Sequence, residues 1–212
     1  MIKLIYFVFI SVQLFAYDFD IVLDRDTEIC DVKYPKETKI KEVKDKSGKT
    51  IRVFFEKKND PYVSVNGFLA RKGQVECRSS KVLYFARDYE DKGLKFPAEC
   101  RVSLDRDGSF KEIYCEEDSI ISYKNIFYRK SLVFEKDYFE YPSGGRLAVP
   151  TEVFNVTWPS ETLITTGKFV EKLTFEINSD FKFKGINYKP GSRLYFKKDG
   201  TFIQALNPED EY

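Results

Sequence analysis

The 212-residue chain contains no histidine, one tryptophan and one methionine. Without histidine, Ser-His-Asp and Cys-His catalysis are excluded, as is every metal site that needs an imidazole ligand. The sequence also lacks a phosphate-binding glycine loop, a nucleophile elbow and a metalloprotease motif. We therefore assign no catalytic residue, no metal ligand and no cofactor, and we expect a protein that is not an enzyme.

The chain also lacks a large net charge, because it has 35 Lys and Arg residues and 34 Asp and Glu residues. This balance gives no electrostatic reason to propose nucleic acid or anionic lipid as the main partner. Hydrophobic residues make up 42% of the chain, enough for a core.

A hydrophobic run long enough to span a membrane is absent too. The uncharged stretch from Leu4 to Tyr17 has 14 residues, whereas a spanning helix needs about 20. We interpret residues 1–16 as a secretory signal peptide ending at Ala16. An uncleaved anchor and a buried first strand are the alternatives. Cleavage predicts a protein without a transmembrane anchor, exported to the periplasm, the cell surface or the medium.

The strongest pattern present is an internal repeat with an offset of 92 residues, between 93–110 and 185–202. Each copy begins with glycine and has an aromatic residue three positions later. An arginine, alternating apolar residues and Asp-Gly-x-Phe follow. Weaker copies begin at Ile126 and at Val32. A fixed internal offset indicates a repeat architecture, in which neighbouring units bury a shared apolar face.

Asp-Gly between two alternating runs predicts a β-hairpin with a two-residue type I′ turn. At Asp107-Gly108 such a loop places Val102 opposite Ile113. At Asp199-Gly200 it places Phe196 opposite Ile203 and Leu194 opposite Ala205. We find no sustained helical periodicity after residue 16, although residues 160–172 fit either a short helix or a strand.

The predicted fold is therefore all-β, an antiparallel sheet built from repeated β-hairpins with a long period of about 92 residues. We divide the chain into a signal peptide (1–16), an N-terminal repeat half (17–140), a connection (141–159) and a C-terminal repeat unit (160–212). Residues 17–212 are expected to form one continuous domain.

Four cysteines, an even number, predict disulfides in an exported chain. The hairpin at Asp107-Gly108 places Cys100 directly across from Cys115, which leaves Cys30 to pair with Cys77. No Cys-x-x-Cys spacing occurs, so a redox or metal role is disfavoured against structural disulfides.

Five side chains form a candidate ligand or partner face. Arg101 and Arg193 occupy the same repeat position, on the side of the strand opposite the apolar residues. With Tyr114, Tyr195 and Phe202 they are expected to form a basic, aromatic outer face able to hold a carboxylate or a sugar. The alternative is an ordinary exposed sheet face whose arginines stack on cross-strand rings.

The unit of Gly-x-x-aromatic, Ser or Cys, Arg, alternating apolar residues and Asp-Gly-x-Phe resembles the short β-hairpin repeats of MORN-type and related exported bacterial repeat proteins. The resemblance implies a scaffold or an interaction surface. Our leading hypothesis is an exported, non-enzymatic binding or scaffold module of the bacterial cell envelope, with a protein or a glycan as partner and with self-association open. The alternatives are an envelope polysaccharide or peptidoglycan hydrolase with a carboxylate pair, and a small outer-membrane β-barrel.

Overall fold

A computed structural model describes residues 19–116, 118–134, 142–167 and 170–210, so the predicted signal peptide lies outside the described residues. The described chain is all-β, with antiparallel pairing throughout and a single turn of 3₁₀ helix at Pro208–Asp210. The predicted fold class is confirmed.

Two nine-stranded sheets form the body of the molecule. The first sheet has the order β1-β4-β5-β7-β8-β11-β12-β15, with β6 also paired to β7. Its strands are β1 (Ile21–Val22), β4 (Lys39–Lys44), β5 (Thr50–Glu56), β6 (Val63–Val65), β7 (Phe68–Glu76), β8 (Lys81–Phe85), β11 (Arg101–Leu104), β12 (Phe110–Tyr114) and β15 (Ser131–Val133).

The second sheet has the order β24-β23-β20-β19-β16-β14-β13-β10-β9. Its strands are β9 (Tyr89–Asp91), β10 (Leu94–Phe96), β13 (Ile120–Tyr123), β14 (Ile126–Arg129), β16 (Gly145–Leu147), β19 (Leu163–Gly167), β20 (Val170–Glu176), β23 (Arg193–Lys197) and β24 (Phe202–Leu206). Three separate ribbons pair β2 (Thr27–Ile29) with β3 (Val32–Tyr34), β17 (Thr151–Val153) with β18 (Val156–Trp158), and β21 (Phe181–Phe183) with β22 (Ile186–Tyr188).

Short and long hairpins alternate along the described chain except between β14 and β17, where β15 and β16 belong to different sheets. In each short hairpin both turn residues have positive φ, as a type I′ turn requires. The six turns are Cys30-Asp31, Asn66-Gly67, Lys92-Gly93, Lys124-Asn125, Phe154-Asn155 and Lys184-Gly185. Within the described residues six short hairpins therefore mark six repeat modules, two more than the sequence pattern indicates.

The same pair of backbone hydrogen bonds closes four of these modules. In each, a buried apolar residue donates its N–H to the carbonyl fifteen residues later and accepts from the N–H fourteen residues later. The four apolar residues are Leu23, Phe85, Leu147 and Ile177. In the modules between them, Cys115 donates to the Lys130 carbonyl fifteen residues later, and Lys57 donates to the Arg71 carbonyl fourteen residues later.

These bonds divide the 92-residue period into shorter modules. Phe85, Cys115, Leu147 and Ile177 follow one another at intervals of 30, 32 and 30 residues. The interval of 92 residues between Phe85 and Ile177 therefore spans three modules of similar length. The sequence copies at this offset are the best preserved ones, and the modules between them keep the backbone pattern with other side chains.

The turns of the long hairpins differ from the prediction. The Gly108 N–H donates to Asp105 O at 3.0 Å, and among the loop residues 106–108 only Gly108 has positive φ. This is a three-residue loop ending in a left-handed glycine. The register then shifts by one residue, at a bulge opposite Ser103 and Leu104, so that Val102 does pair with Ile113. The extra loop residue and the bulge shift the register in opposite directions, so beyond the bulge the strands pair as a two-residue loop would predict.

The hairpin at Gly200 has the same loop and the same bulge. Leu194 pairs with Ala205 as predicted, but Phe196 pairs with Phe202 instead of Ile203. Ile203 is the extra bulge residue, and 44% of it is exposed.

The core lies between the inner faces of the two sheets, whose buried residues form one hydrophobic cluster. Aromatic rings fill much of it, and Trp158 stacks on Phe175 with ring centroids 4.0 Å apart. The cluster runs from Leu23 to Phe196 without a break at the predicted domain boundaries.

Two segments are more regular than the sequence indicates. Residues 141–159, interpreted as a connection, contain β16, β17 and β18 and so carry a repeat module. Between residues 160 and 172 the strand alternative is the right one, because β19 begins at Leu163 and pairs with β20.

Both predicted cysteine pairs are present as disulfides. Cys100 and Cys115 have Cα atoms 4.4 Å apart, and Cys30 and Cys77 have Cα atoms 4.7 Å apart. The first joins neighbouring strands, and the second ties the turn of the β2-β3 ribbon to the end of β7. Two disulfides indicate a non-reducing environment outside the cytoplasm.

Candidate functional site

One row of side chains crosses the outer face of the first sheet perpendicular to its strands. Lys72 on β7 is opposite Tyr84 on β8, Tyr84 is opposite Arg101 on β11, and Arg101 is opposite Tyr114 on β12. Residues opposite each other in a sheet project from the same face. We call these four residues the cation–aromatic row.

The row is accessible and its rings interact with cations. The Lys72 ammonium lies 4.3 Å from the centroid of the Tyr84 ring. The Lys130 ammonium lies 5.9 Å from the centroid of the Tyr114 ring, at the other end of the row. Tyr114 is 41% exposed. Ammonium groups at these distances are attracted to the electron-rich ring faces.

Arg101 is exposed, and its side chain forms no hydrogen bond or ion pair with any described residue. Its counterpart Arg193 differs in this respect, because Nε of Arg193 lies 2.9 Å from Oε2 of Glu176. In the repeat, Glu176 occupies the position of Tyr84, since each is the cross-strand partner of the arginine. In the second copy Glu176 therefore neutralises Arg193, whereas in the first copy Arg101 lies between Tyr84 and Tyr114.

Two arginines near the row have carboxylate partners. Nη2 of Arg52 lies 2.6 Å from Oε1 of Glu76. The hydroxyl of Ser79 and the guanidinium of Arg52 hold the pKa of the Glu76 carboxyl below its ordinary value. Arg71 and Glu99 form a further ion pair at 2.9 Å. Unlike Arg52, Arg71 and Arg193, Arg101 has no such partner within the described chain.

The five residues of the predicted face do not form one site. Arg101 and Tyr114 are cross-strand partners on the first sheet, whereas Arg193 and Tyr195 lie on the outer face of the second sheet. The Lys172 ammonium covers the Tyr195 ring at 4.5 Å.

Phe202 is not on an outer face. The bulge at Ile203 pairs Phe202 with the buried Phe196, and its ring lies 5.4 Å from that of Phe196. A two-residue loop would have placed Phe202 opposite Lys197 on the outer side, which is why the sequence argument failed for it.

Sequence reasoning missed two members of the cation–aromatic row, Lys72 and Tyr84. Tyr84 has a detectable signal, because the 92-residue offset aligns it with Glu176 and exposes the difference between the copies. Lys72 has none, since it enters the row only through the register shift between Ala70 and Lys72 on β7.

A second surface feature is an open depression of about 500 Å³ beside the turn at Lys124-Asn125. Phe127 and Val149 line it, with 44% and 43% of their surface exposed. Its one lining carboxylate is Glu152, whereas glycoside hydrolysis commonly uses two. The depression therefore gives no support to the hydrolase alternative.

Within the described residues no group of three or more His, Cys, Asp or Glu side chains is arranged to hold a metal ion. The same part of the chain contains no helix that is long and apolar enough to cross a membrane.

Comparison with known proteins gives no match to a family model, a curated protein or a solved structure.

Proposed function

We propose that this protein is an exported, non-enzymatic binding module of the bacterial cell envelope, in the periplasm or at the cell surface, and that it binds through the cation–aromatic row. The observation that carries the proposal is Arg101, an exposed guanidinium set between two tyrosines with no carboxylate partner in the described chain. Such a group is a ready donor to an external anion.

The strands beneath the row favour this use. β8, β11 and β12 are each paired on both sides, and Cys100–Cys115 links β11 to β12. Their outer side chains are therefore held on a rigid surface, which reduces the conformational entropy lost on binding. The disulfides are in keeping with an exported protein.

The test is a co-sedimentation assay with envelope fragments from cells that lack the protein. Wild-type protein is expected to sediment with the fragments, and R101Q to bind at least about tenfold more weakly, in line with the loss of a hydrogen bond to a charged group. R193Q is the matched control, because Arg193 is already neutralised by Glu176. Circular dichroism should show that both variants fold, since both sites lie on outer faces.

Equal losses in R101Q and R193Q, or no sedimentation of the wild type, would overturn the proposal. Recovery of the protein only from the cytoplasmic fraction of its own cells would overturn the export part of it.

A further inference from the structure

We infer that the ligand of the cation–aromatic row is a carboxylate-bearing polysaccharide, a chain of sugars with repeated uronic-acid groups. This inference rests on the proposed function and specifies the ligand class of the same site.

The first argument is the charge at the centre of the row. Arg101 presents a planar fork of N–H donors that fits a carboxylate with two parallel hydrogen bonds. Lys72 and Lys130 lie toward the two ends. Glu56 faces Lys72 from β5, whereas the cross-strand neighbours of Arg101 are both tyrosines.

The second argument is the alternation along the row. From β7 to β12 the order is cation, ring, cation, ring. Adjacent strands are about 4.8 Å apart, so the two tyrosines are separated by about 10 Å, with the guanidinium midway. A polyuronate crossing the strands repeats an apolar C–H face and a carboxylate in the same way. Its C–H faces can pack on the rings, and the tyrosine hydroxyls can bond its hydroxyl groups.

The third argument concerns the neighbouring row on the same face. Gln74, Val82, Ser103 and Glu112 follow one another there across the same four strands. Three of these four side chains are polar, which suits the many hydroxyl groups of a sugar chain.

Peptides and nucleic acids fit this surface less well. A peptide cannot add as a strand here, because β8, β11 and β12 have no free edge. A nucleic acid requires several neutralised phosphates, whereas the row has a single arginine and the whole chain has balanced charge.

The experiment is equilibrium binding of the folded, disulfide-bonded protein to polygalacturonate and to alginate, with fully methyl-esterified polygalacturonate as the uncharged control. We expect binding to at least one acidic polymer, a loss of at least about tenfold on esterification, and weaker binding at higher salt. R101Q should lose at least about tenfold and Y84A should also lose affinity, whereas R193Q should bind as the wild type does.

Three results would overturn the inference: no binding to either polymer, equal binding to the esterified control, or binding to polyglutamate or single-stranded DNA as tight as to the polyuronates. If Arg101-dependent sedimentation with envelope fragments persists in such a case, the ligand class is wrong and the proposed function stands. If that sedimentation fails too, both are wrong.

Discussion

At the residue scale, one buried aromatic position recurs through the modules. It is filled by Tyr34, Phe96, Tyr128, Trp158 and Tyr188, each with at most 6% of its surface exposed. Burial, with a smaller contribution from the Glu42 carboxylate, raises the pKa of the Tyr34 phenol, which therefore stays neutral. The position tolerates different rings because each packs against its own neighbours.

Replacing Trp158 with alanine should lower the free energy of unfolding by about 3–5 kcal/mol. The indole is fully buried, stacks on Phe175, and donates its Nε1–H to Val153 O at 3.1 Å. Urea unfolding followed by circular dichroism measures the change, since W158A has no tryptophan to report fluorescence. The half-exposed Val149 supplies the control V149A, for which a change within about 0.5 kcal/mol is expected. A loss below about 1 kcal/mol in W158A would contradict this account.

At the element scale, the six short hairpins share a turn geometry but not a turn sequence. Gly occupies the second turn position in three of them, and Asp31, Asn125 and Asn155 occupy it in the others. Asp and Asn tolerate the left-handed region better than other non-glycine residues do. This variety explains why sequence reasoning missed the unit at Phe154-Asn155. The unit at Asn66-Gly67 has a favoured turn sequence, but it lacks the buried aromatic residue three positions after the turn, where Ala70 stands.

Gly67→Ala should lower the free energy of unfolding by about 1–2 kcal/mol. Gly67 has φ +83°, and a Cβ built there meets no atom within 4 Å, so the cost is conformational and not steric. Ser64→Ala on the same hairpin is the control, because Ser64 is exposed and keeps ordinary backbone angles. Thermal unfolding of both variants measures the difference, and equal stability would show that the turn does not require a left-handed residue.

At the scale of the whole molecule, the two sheets share one core. The long hairpins of the first half lie in the first sheet, and those of the second half lie in the second sheet. The hairpins β9-β10 and β13-β14 extend the second sheet, and the strands on both sides of the predicted connection contribute to the same hydrophobic cluster.

This shared core predicts a single cooperative unfolding transition. Trp158 lies in the second half, so its fluorescence reports there, whereas far-UV circular dichroism reports on both sheets. The two probes should give the same denaturant midpoint with the disulfides intact. A fluorescence transition that is complete while most of the circular dichroism signal remains would show that the halves unfold as separate domains.

The amino-acid sequence by itself determined the features that depend on residues close together in the chain. Alternating apolar residues and glycine-containing turns specify strands and hairpins through neighbours close in the chain, so the all-β class, the repeat and the Cys100–Cys115 pair could be predicted from it. The absence of histidine excludes whole classes of catalysis on the same basis.

The tertiary structure decided the register of the paired strands and the cross-strand neighbour of each side chain. The three-residue loop shifts the pairing by one residue next to the turn, and the bulge at Ile203 restores it farther along the strands. Phe202 lies between the loop and the bulge, so it packs against the core although its spacing predicted an outer position. Arg101 and Arg193 are the same residue at the same repeat position, but only the pairing of β8 with β11 gives Arg101 a tyrosine where Arg193 has a glutamate. Both outcomes depend on how neighbouring strands pair, which the alternation of residues within one strand does not specify; the free energy of packing the shared core selects the pairing.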